Sequence, residues 1–398
     1  MEYLWIGVGN SPENRQRILK QGGKLLSSSI SNDALVAGLD ANGVICDSIN
    51  CPPVPTYPRY PEKRIVGGTW SRTGMSEDHY IGYWNIQYIN KISQRHSFIS
   101  EAKKWAQKHI NEKVIVFVYQ MHAPSMAAAV AVKQTIPDAK IVLIVPDLPQ
   151  YMDLHMSRVK KILKDIDWHS IQRMMKRVDR YVLYSKHMAT FLRLSEEQYI
   201  VMEGSFDPSL VVEDEPKKDS EKISIMYSGV LDLRYGIHEL LDAMNLLDER
   251  YELWFTGDGN AVPLIEERAK NDKRIKNFGY LPSRQDLIKK QKEATMLISP
   301  RSTEEEASKY CFPSKIFEYM VSGNPVISTR IGGIPDEYFD YLIPIEKINA
   351  EDIATAIKQV GMMPKNDRKR LGNDGKQFIL ENKSNTAQVN RILKFMGR

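Results

Sequence analysis

A lysine and a glutamate three residues apart, Lys315 and Glu318, stand in the run Tyr310-Cys311-Phe312-Pro313-Ser314-Lys315-Ile316-Phe317-Glu318-Tyr319-Met320. Pro313 and Ser314 read as the opening of a helix and Gly323 as its end. Ser314 is expected to cap that start, leaving free N–H groups and the positive end of the helix dipole turned outward. A diphosphate suits such an end. Lys315, in the first turn, adds a full positive charge, and Glu318, one turn on, offers a carboxylate to ribose hydroxyls. The loop Thr329–Glu337 follows the next strand, and its two glycines, Gly332 and Gly333, let backbone approach a ligand closely. The chemistry implied is the holding of a nucleoside diphosphate. A serine-capped amphipathic helix with Lys and Glu on its surface is also an ordinary structural element, and that reading stays open.

The elements that must position these residues alternate along the chain. Short apolar runs separated by amphipathic stretches give strands at Tyr3–Val8, Val114–Tyr119, Lys140–Val145 and Arg180–Tyr184, with helices among them at 33–39, 98–109 and 125–135. The charged stretch 213–221 reads as a linker. The alternation then restarts, with strands at 223–228, 251–256, 275–278, 296–299 and 325–328. Helices fall at 237–247, 262–271, 284–294 and 315–322. The pattern is α/β, two facing Rossmann-like domains, and ligands of such sheets lie outside the carboxyl ends of the strands, here in an interdomain cleft. The expected division is 1–212, linker 213–221, 222–379, and a terminal segment 380–398.

A chain of 398 residues is long enough for two cores. No apolar run reaches the length of a membrane-spanning helix. The opening Met1–Gly7 lacks a basic leader and reads as a first strand, so a cytoplasmic protein is expected. Three cysteines, none in a CxxC pair, argue against a disulfide framework or a zinc site. The net charge of +5 suits an anionic substrate or membrane surface, and no Lys/Arg stripe interleaved with aromatics points to nucleic acid. Residues 153–180 carry eight Lys/Arg against four Asp, interleaved with Met, Ile, Leu and Trp168. Such a segment either lies on an anionic leaflet, such as the inner face of the plasma membrane, or packs on the sheet with its basic face in water.

Over residues 223–361 the sequence resembles the C-terminal domain of GT-B fold, family 4-like retaining glycosyltransferases. The resemblance is carried by Lys315–Ser328 and Gly332-Gly333-Ile334-Pro335, and is closest to the branch that builds bacterial capsular, exopolysaccharide or O-antigen chains. It implies that Glu318 contacts the donor ribose. The earlier glutamate of the family's pair is Tyr310 here, which leaves Glu306, or its neighbours Glu304 and Glu305, as candidates for the sugar side. The turn Tyr227–Ile237 resembles the family's Gly-rich phosphate turn, with Gly229 in place. Val230 and Tyr235 occupy the positions of its usual Arg and Lys, so Arg234 is assigned to the phosphates. Gly257 and Tyr280 match further donor segments, and Arg301, which closes the strand 296–299, either faces the same cleft or makes a structural salt bridge. In the first half, Gly22 and Gly23 match a glycine loop near the phosphates. His122 matches a histidine near the transferring sugar. Asp147 either orients an acceptor hydroxyl or caps its turn.

The resemblance implies transfer of a sugar from a nucleotide sugar, with UDP the expected carrier, to a saccharide or polyprenyl-diphosphate-linked acceptor bound by the first domain. It also implies that the terminal helix packs back on that domain. Fixed cations would meet the leaving diphosphate, so no metal and no cofactor beyond the nucleotide sugar is expected. Two other readings remain open at the level of sequence. One is a sugar-nucleotide epimerase of the same fold, the other a non-catalytic nucleotide-binding partner of a glycosyltransferase.

Overall fold

The computed structural model describes residues 1–21, 27–151, 158–211, 221–281, 283–303 and 306–397. They form two compact units, residues 1–205 with 385–398, and residues 206–384. The division falls before Phe206, not at 212, because Phe206 is a core residue of the second unit: its N–H donates to the Lys383 carbonyl at 2.9 Å, and its ring is buried in the cluster that holds Phe378 and Ile379. The same cluster keeps residues 380–384 with the second unit. Of the expected linker 213–221, all but Glu221 lies outside the described residues.

In the first unit the strands are β1 (Glu2–Val8), β2 (Asp47–Cys51), β3 (Arg64–Ile65), β4 (Gly68–Trp70), β5 (Asp78–Tyr80), β6 (Tyr83–Trp84), β7 (Val114–Tyr119), β8 (Lys140–Val145), β9 (Arg180–Leu183) and β10 (Tyr199–Val201). Eight of them make one sheet in the order β10-β9-β8-β7-β1-β2-β5-β4, parallel except for β4 against β5, while β3 and β6 pair apart. β7 and β8 read as unbroken apolar runs because the sheet centre is covered on both faces. The helix Asn385–Phe395 lies on the helix Ser27–Ala41. There Asn385 donates to the Ala34 carbonyl at 3.1 Å, and a Cβ at Gly38 would come within 2.6 Å of the Asn385 carbonyl oxygen.

The second unit continues with β11 (Ile223–Val230), β12 (Tyr251–Asp258), β13 (Ile275–Asn277), β14 (Met296–Ser299), β15 (Val326–Thr329) and β16 (Leu342–Ile345). They form an all-parallel sheet in the order β13-β12-β11-β14-β15-β16. Successive β11 residues feed opposite faces: Ile225 and Tyr227 enter one core with Leu253 and Phe255, Met226 the other with Leu297 and Phe317. The strand order reverses between β11 and β14, and in such sheets the crevice beyond the carboxyl ends at the reversal is where ligands sit. Gly229 lies at the end of β11, and Pro300 and Arg301 follow β14. The first sheet reverses between β1 and β7, where Gly9 and His122 stand. Among the described residues no helix is long and apolar enough to cross a membrane.

Candidate donor site

The helix Lys315–Val321 brings its side chains to the β11–β14 crevice. Its start differs from the expectation. Ser314 is itself helical (φ −54°, ψ −24°), makes no capping hydrogen bond and is exposed. The turn has already begun at Pro313, whose fixed φ favours it: Ile316 N–H donates to the Pro313 carbonyl at 2.9 Å and Phe317 N–H to Ser314 at 3.2 Å. Ser314 thus sits inside the first turn and cannot also cap it.

Tyr319, fully buried, ties this helix to β11. Its hydroxyl donates to the Ser228 carbonyl at 2.9 Å and accepts from the Ser228 N–H at 2.8 Å, while Gln291 donates to the Ser228 hydroxyl at 2.9 Å. That anchorage sets Lys315 beside Gly229. A Cβ at Gly229 (φ +113°) would stand 3.6 Å from the ammonium, so the missing side chain leaves the approach open. A Cβ at Gly257 would fall 1.8 Å from the Gly229 carbonyl oxygen, so the glycine lets the ends of β11 and β12 lie close side by side. Gly333 likewise packs against the Cys311 carbonyl, 2.1 Å from where a Cβ would be, and holds the 308–311 segment in place.

Lys315 is half-buried, its ammonium 3.9 Å from the centre of the Tyr227 ring and 6.0 Å from that of Tyr235. Arg301 lies over the other partner of this pair, its guanidinium carbon 4.6 Å from the Tyr235 centroid, with a nitrogen 3.8 Å from Cys311 Sγ. Burial, reinforced by the Arg301 charge and only partly offset by Glu318, pushes the Lys315 pKa down to about 7. Among the described residues neither Lys315 nor Arg301 forms an ion pair. Two basic groups on aromatic faces, neither ion-paired among the described residues, have the charge and spacing that suit a dianion. Glu318, half-buried one turn on, completes the group.

Arg234, assigned to the phosphates from the sequence, is exposed and engaged by its own turn: two of its nitrogens meet Asp232 at 3.0 and 2.8 Å, and that pairing holds the Asp232 carboxyl down to about 2. Tyr280 is 70% exposed beside Gly279 (φ +67°), whose carbonyl accepts from Thr256 at 2.6 Å and Gly257 N–H at 2.9 Å. Glu306 is exposed on the short helix Glu306–Lys309. Glu304 and Glu305 lie outside the described residues, as do Gly22 and Gly23.

In the first unit, His122 follows β7 and its Nδ1 lies 3.0 Å from the Ser125 hydroxyl. Burial, and then the Lys91 charge, lowers its pKa to about 4, so the imidazole is neutral at pH 7. Gln120, just before it, takes a left-handed backbone (φ +76°). A small pocket at the end of β1 is lined by Gly9, Asn10, Arg15, Ser29 and Pro53. The residues to which sequence reasoning gave no role in the site are the tyrosines 227, 235 and 319. Their signal was present as aromatics flanking the Gly229 turn and the Lys315–Glu318 pair, without charge to draw notice.

Residues 222–361 match the family model described as Glycosyl transferases group 1. No curated protein sequence matches the chain. Among solved structures, HepE of Anabaena in complex with UDP is 11% identical, covers 100% of both chains and superposes with a TM-score of 0.62. A glycosyltransferase from Rickettsia africae is 17% identical over 99% of this chain and 97% of its own (TM-score 0.64). The lipopolysaccharide outer core galactosyltransferase WaaB is 13% identical over 100% and 99% (TM-score 0.63). At these identities the likeness is one of fold. Residues 222–361 are therefore a group 1 glycosyltransferase domain, carried in a chain with the GT-B glycosyltransferase fold.

Proposed function

We propose that the chain is a retaining, family 4-like transferase that moves a sugar from a UDP-linked donor to a saccharide or polyprenyl-diphosphate-linked saccharide acceptor during assembly of a bacterial surface polysaccharide. The observation that carries the donor half is that Lys315 and Arg301, at the strand-order reversal, stand on aromatic faces with no ion pair among the described residues. Positive groups fixed in advance stabilise the charge that grows on a departing diphosphate. The match of 222–361 to group 1 glycosyltransferases and the UDP bound by HepE favour a nucleotide sugar. WaaB, a lipopolysaccharide enzyme, favours a surface-polysaccharide acceptor. Glu318 takes the ribose, Ser314 and the Gly229, Gly257 and Tyr280 segments the rest of the nucleotide, and Arg234 and Glu306 stand at its margin. The acceptor oxygen bonds to the anomeric carbon as its bond to the diphosphate breaks, on the same face. The hydroxyl proton passes to the leaving phosphate oxygen. His122, neutral, is a hydrogen-bonding group near the sugar, not a cation. The charge is met by side chains, with no metal assigned.

The acceptor side falls to the first unit, at a membrane face. The helix Arg158–Met175 and the two residues after it carry seven Lys/Arg against two Asp, a balance equal to the whole chain's +5. On it Ile162 and Ile166 are 60% and 61% exposed. Lys91 pairs with Asp167 at 2.8 Å, so the exposed Ile92 is one residue from the same contact as Ile166. Apolar side chains among lysines are the composition of a surface that rests on an anionic leaflet.

Incubation of the purified protein with labelled UDP-sugars and a lipid-linked acceptor tests the function. Transfer to lipid that is lost in Lys315→Ala and Glu318→Ala supports it. Interconversion of the free nucleotide sugar indicates the epimerase. Tight binding without turnover, unchanged in both variants, would sink the transferase reading.

A further inference from the structure

Tyr235 stands where the resembling family places a phosphate-binding lysine, yet the structure gives it surroundings of its own. It is half-buried at the end of a short turn capped by Asp232, and Gly236 follows in a left-handed conformation (φ +71°). A Cβ on Gly236 would fall 2.2 Å from the Pro300 carbonyl oxygen, so the chain after Tyr235 is pressed onto the segment that leads into Arg301. The ring thereby lies under the Arg301 guanidinium at 4.6 Å and within 6.0 Å of the Lys315 ammonium. These two cations repel each other, and no carboxylate among the described residues pairs with either. An aromatic face attracts a cation through its quadrupole without carrying charge that would compete with an incoming anion.

We propose that Tyr235 is a positioning residue of the donor site, whose ring holds Arg301 and Lys315 together so that both meet the diphosphate of a nucleotide. This rests on the reading of the site as a nucleotide-diphosphate site. A lysine at this position would be a third anion ligand. A tyrosine instead recruits Arg301, which comes from a different strand end, into that role. Arg301 is then the second phosphate cation of this chain, and Tyr235 acts only through it and Lys315.

The test is a double-mutant cycle on UDP affinity, measured by calorimetry on the full chain, with thermal unfolding as a control for folding. Tyr235→Phe keeps the ring and should bind UDP within about twofold of the unsubstituted protein. Tyr235→Leu removes it and should weaken UDP by about tenfold, at the stronger end of a cation–π contact. In an Arg301→Met background, Tyr235→Leu should cost no more than a further twofold. Equal losses for Phe and Leu, no loss for Leu, or the same tenfold loss with and without Arg301 would each overturn the role of Tyr235 while leaving the site reading intact. An unsubstituted protein that binds neither UDP nor inorganic pyrophosphate would overturn both.

Discussion

The hydroxyl of Tyr319 sits 2.8 Å from the backbone nitrogen of Ser228 and 2.9 Å from its carbonyl oxygen, one residue before Gly229. Through this side chain the helix bearing Lys315 and Glu318 is hydrogen-bonded to the end of β11. Removing the hydroxyl strands two buried backbone groups, a change that costs about 1–3 kcal/mol per unsatisfied group. Tyr319→Phe is expected to lower the unfolding free energy by that order and to weaken UDP binding as the helix loses its register. Urea unfolding and calorimetry check it. Unchanged affinity in a destabilised protein would show that the contact serves folding alone.

Lys315 yields a prediction of opposite sign for stability and binding. Its pKa falls from 10.5 to about 7 on folding, through burial and then the Arg301 charge. Between those values the unfolded chain binds more protons, so this group's contribution to stability rises with pH across that window and is unfavourable at pH 7–8. Lys315→Met should raise the melting temperature of the ligand-free protein, by on the order of 2 °C, while abolishing its stabilisation by UDP. An anion favours the ammonium, so UDP binding above pH 7 should take up a proton and weaken as the pH rises. Calorimetry in two buffers of different ionisation enthalpy reads that uptake directly. Binding with no proton exchange at pH 8 would contradict the assignment.

Two glycines separate crowding from backbone preference. Gly257→Ala would drive a methyl to 1.8 Å from the Gly229 carbonyl oxygen at a φ of +141° that side chains avoid, whereas Gly43 is left-handed (φ +70°) with nothing within 4 Å of its absent Cβ. The expected costs are about 1–2 kcal/mol for Gly43→Ala, from the left-handed backbone alone, and more than about 4 kcal/mol for Gly257→Ala. Denaturation of both variants checks the order. Equal costs would mean that the Gly229 turn yields.

The proposed membrane face predicts a loss that folding cannot explain. Ile162 and Ile166 are exposed, so serine at both leaves the core intact. Flotation with vesicles containing anionic lipid should show weaker association of the double variant by at least tenfold, from about 1.5–3 kcal/mol for each side chain fully buried. Affinity for those vesicles should also fall with salt. Association that ignores both changes would exclude this helix as the contact.

What could be read without coordinates follows from how each part is stabilised. β7, β8 and β14 are buried on both faces, so their sequences are continuous apolar runs. β2 escaped notice because Asp47-Ser48-Ile49-Asn50-Cys51 reads as a loop. Inside the sheet its polar groups satisfy one another: Ser48 donates to Asp78 at 2.5 Å, Asn50 to Ser48 at 2.8 Å, and Arg72 holds Asp78 at 2.7 Å. At the candidate site, Lys315 and Glu318 were legible because charge three residues apart on a helix is a local pattern. Arg301 was legible as a strand-end residue of the same crevice, but the Tyr235 ring it shares with Lys315 was not, since the three residues come from separate stretches of chain. The arginine that sequence favoured, Arg234, turned out to lie next to an aspartate two residues away.

The helix Asn385–Phe395 belongs to the first unit, although all of the second unit precedes it in the chain. During synthesis the helix Ser27–Ala41 therefore emerges long before the segment that covers it, and Gly38 faces no partner until Asn385 has been made. The second unit, contiguous from Phe206 to Ser384, has all its own elements before the first unit has its last. The amino-terminal half thus cannot complete its fold until every element of the second unit has been made, and a ribosome-stalled chain ending near Ser384 would leave that helix uncovered.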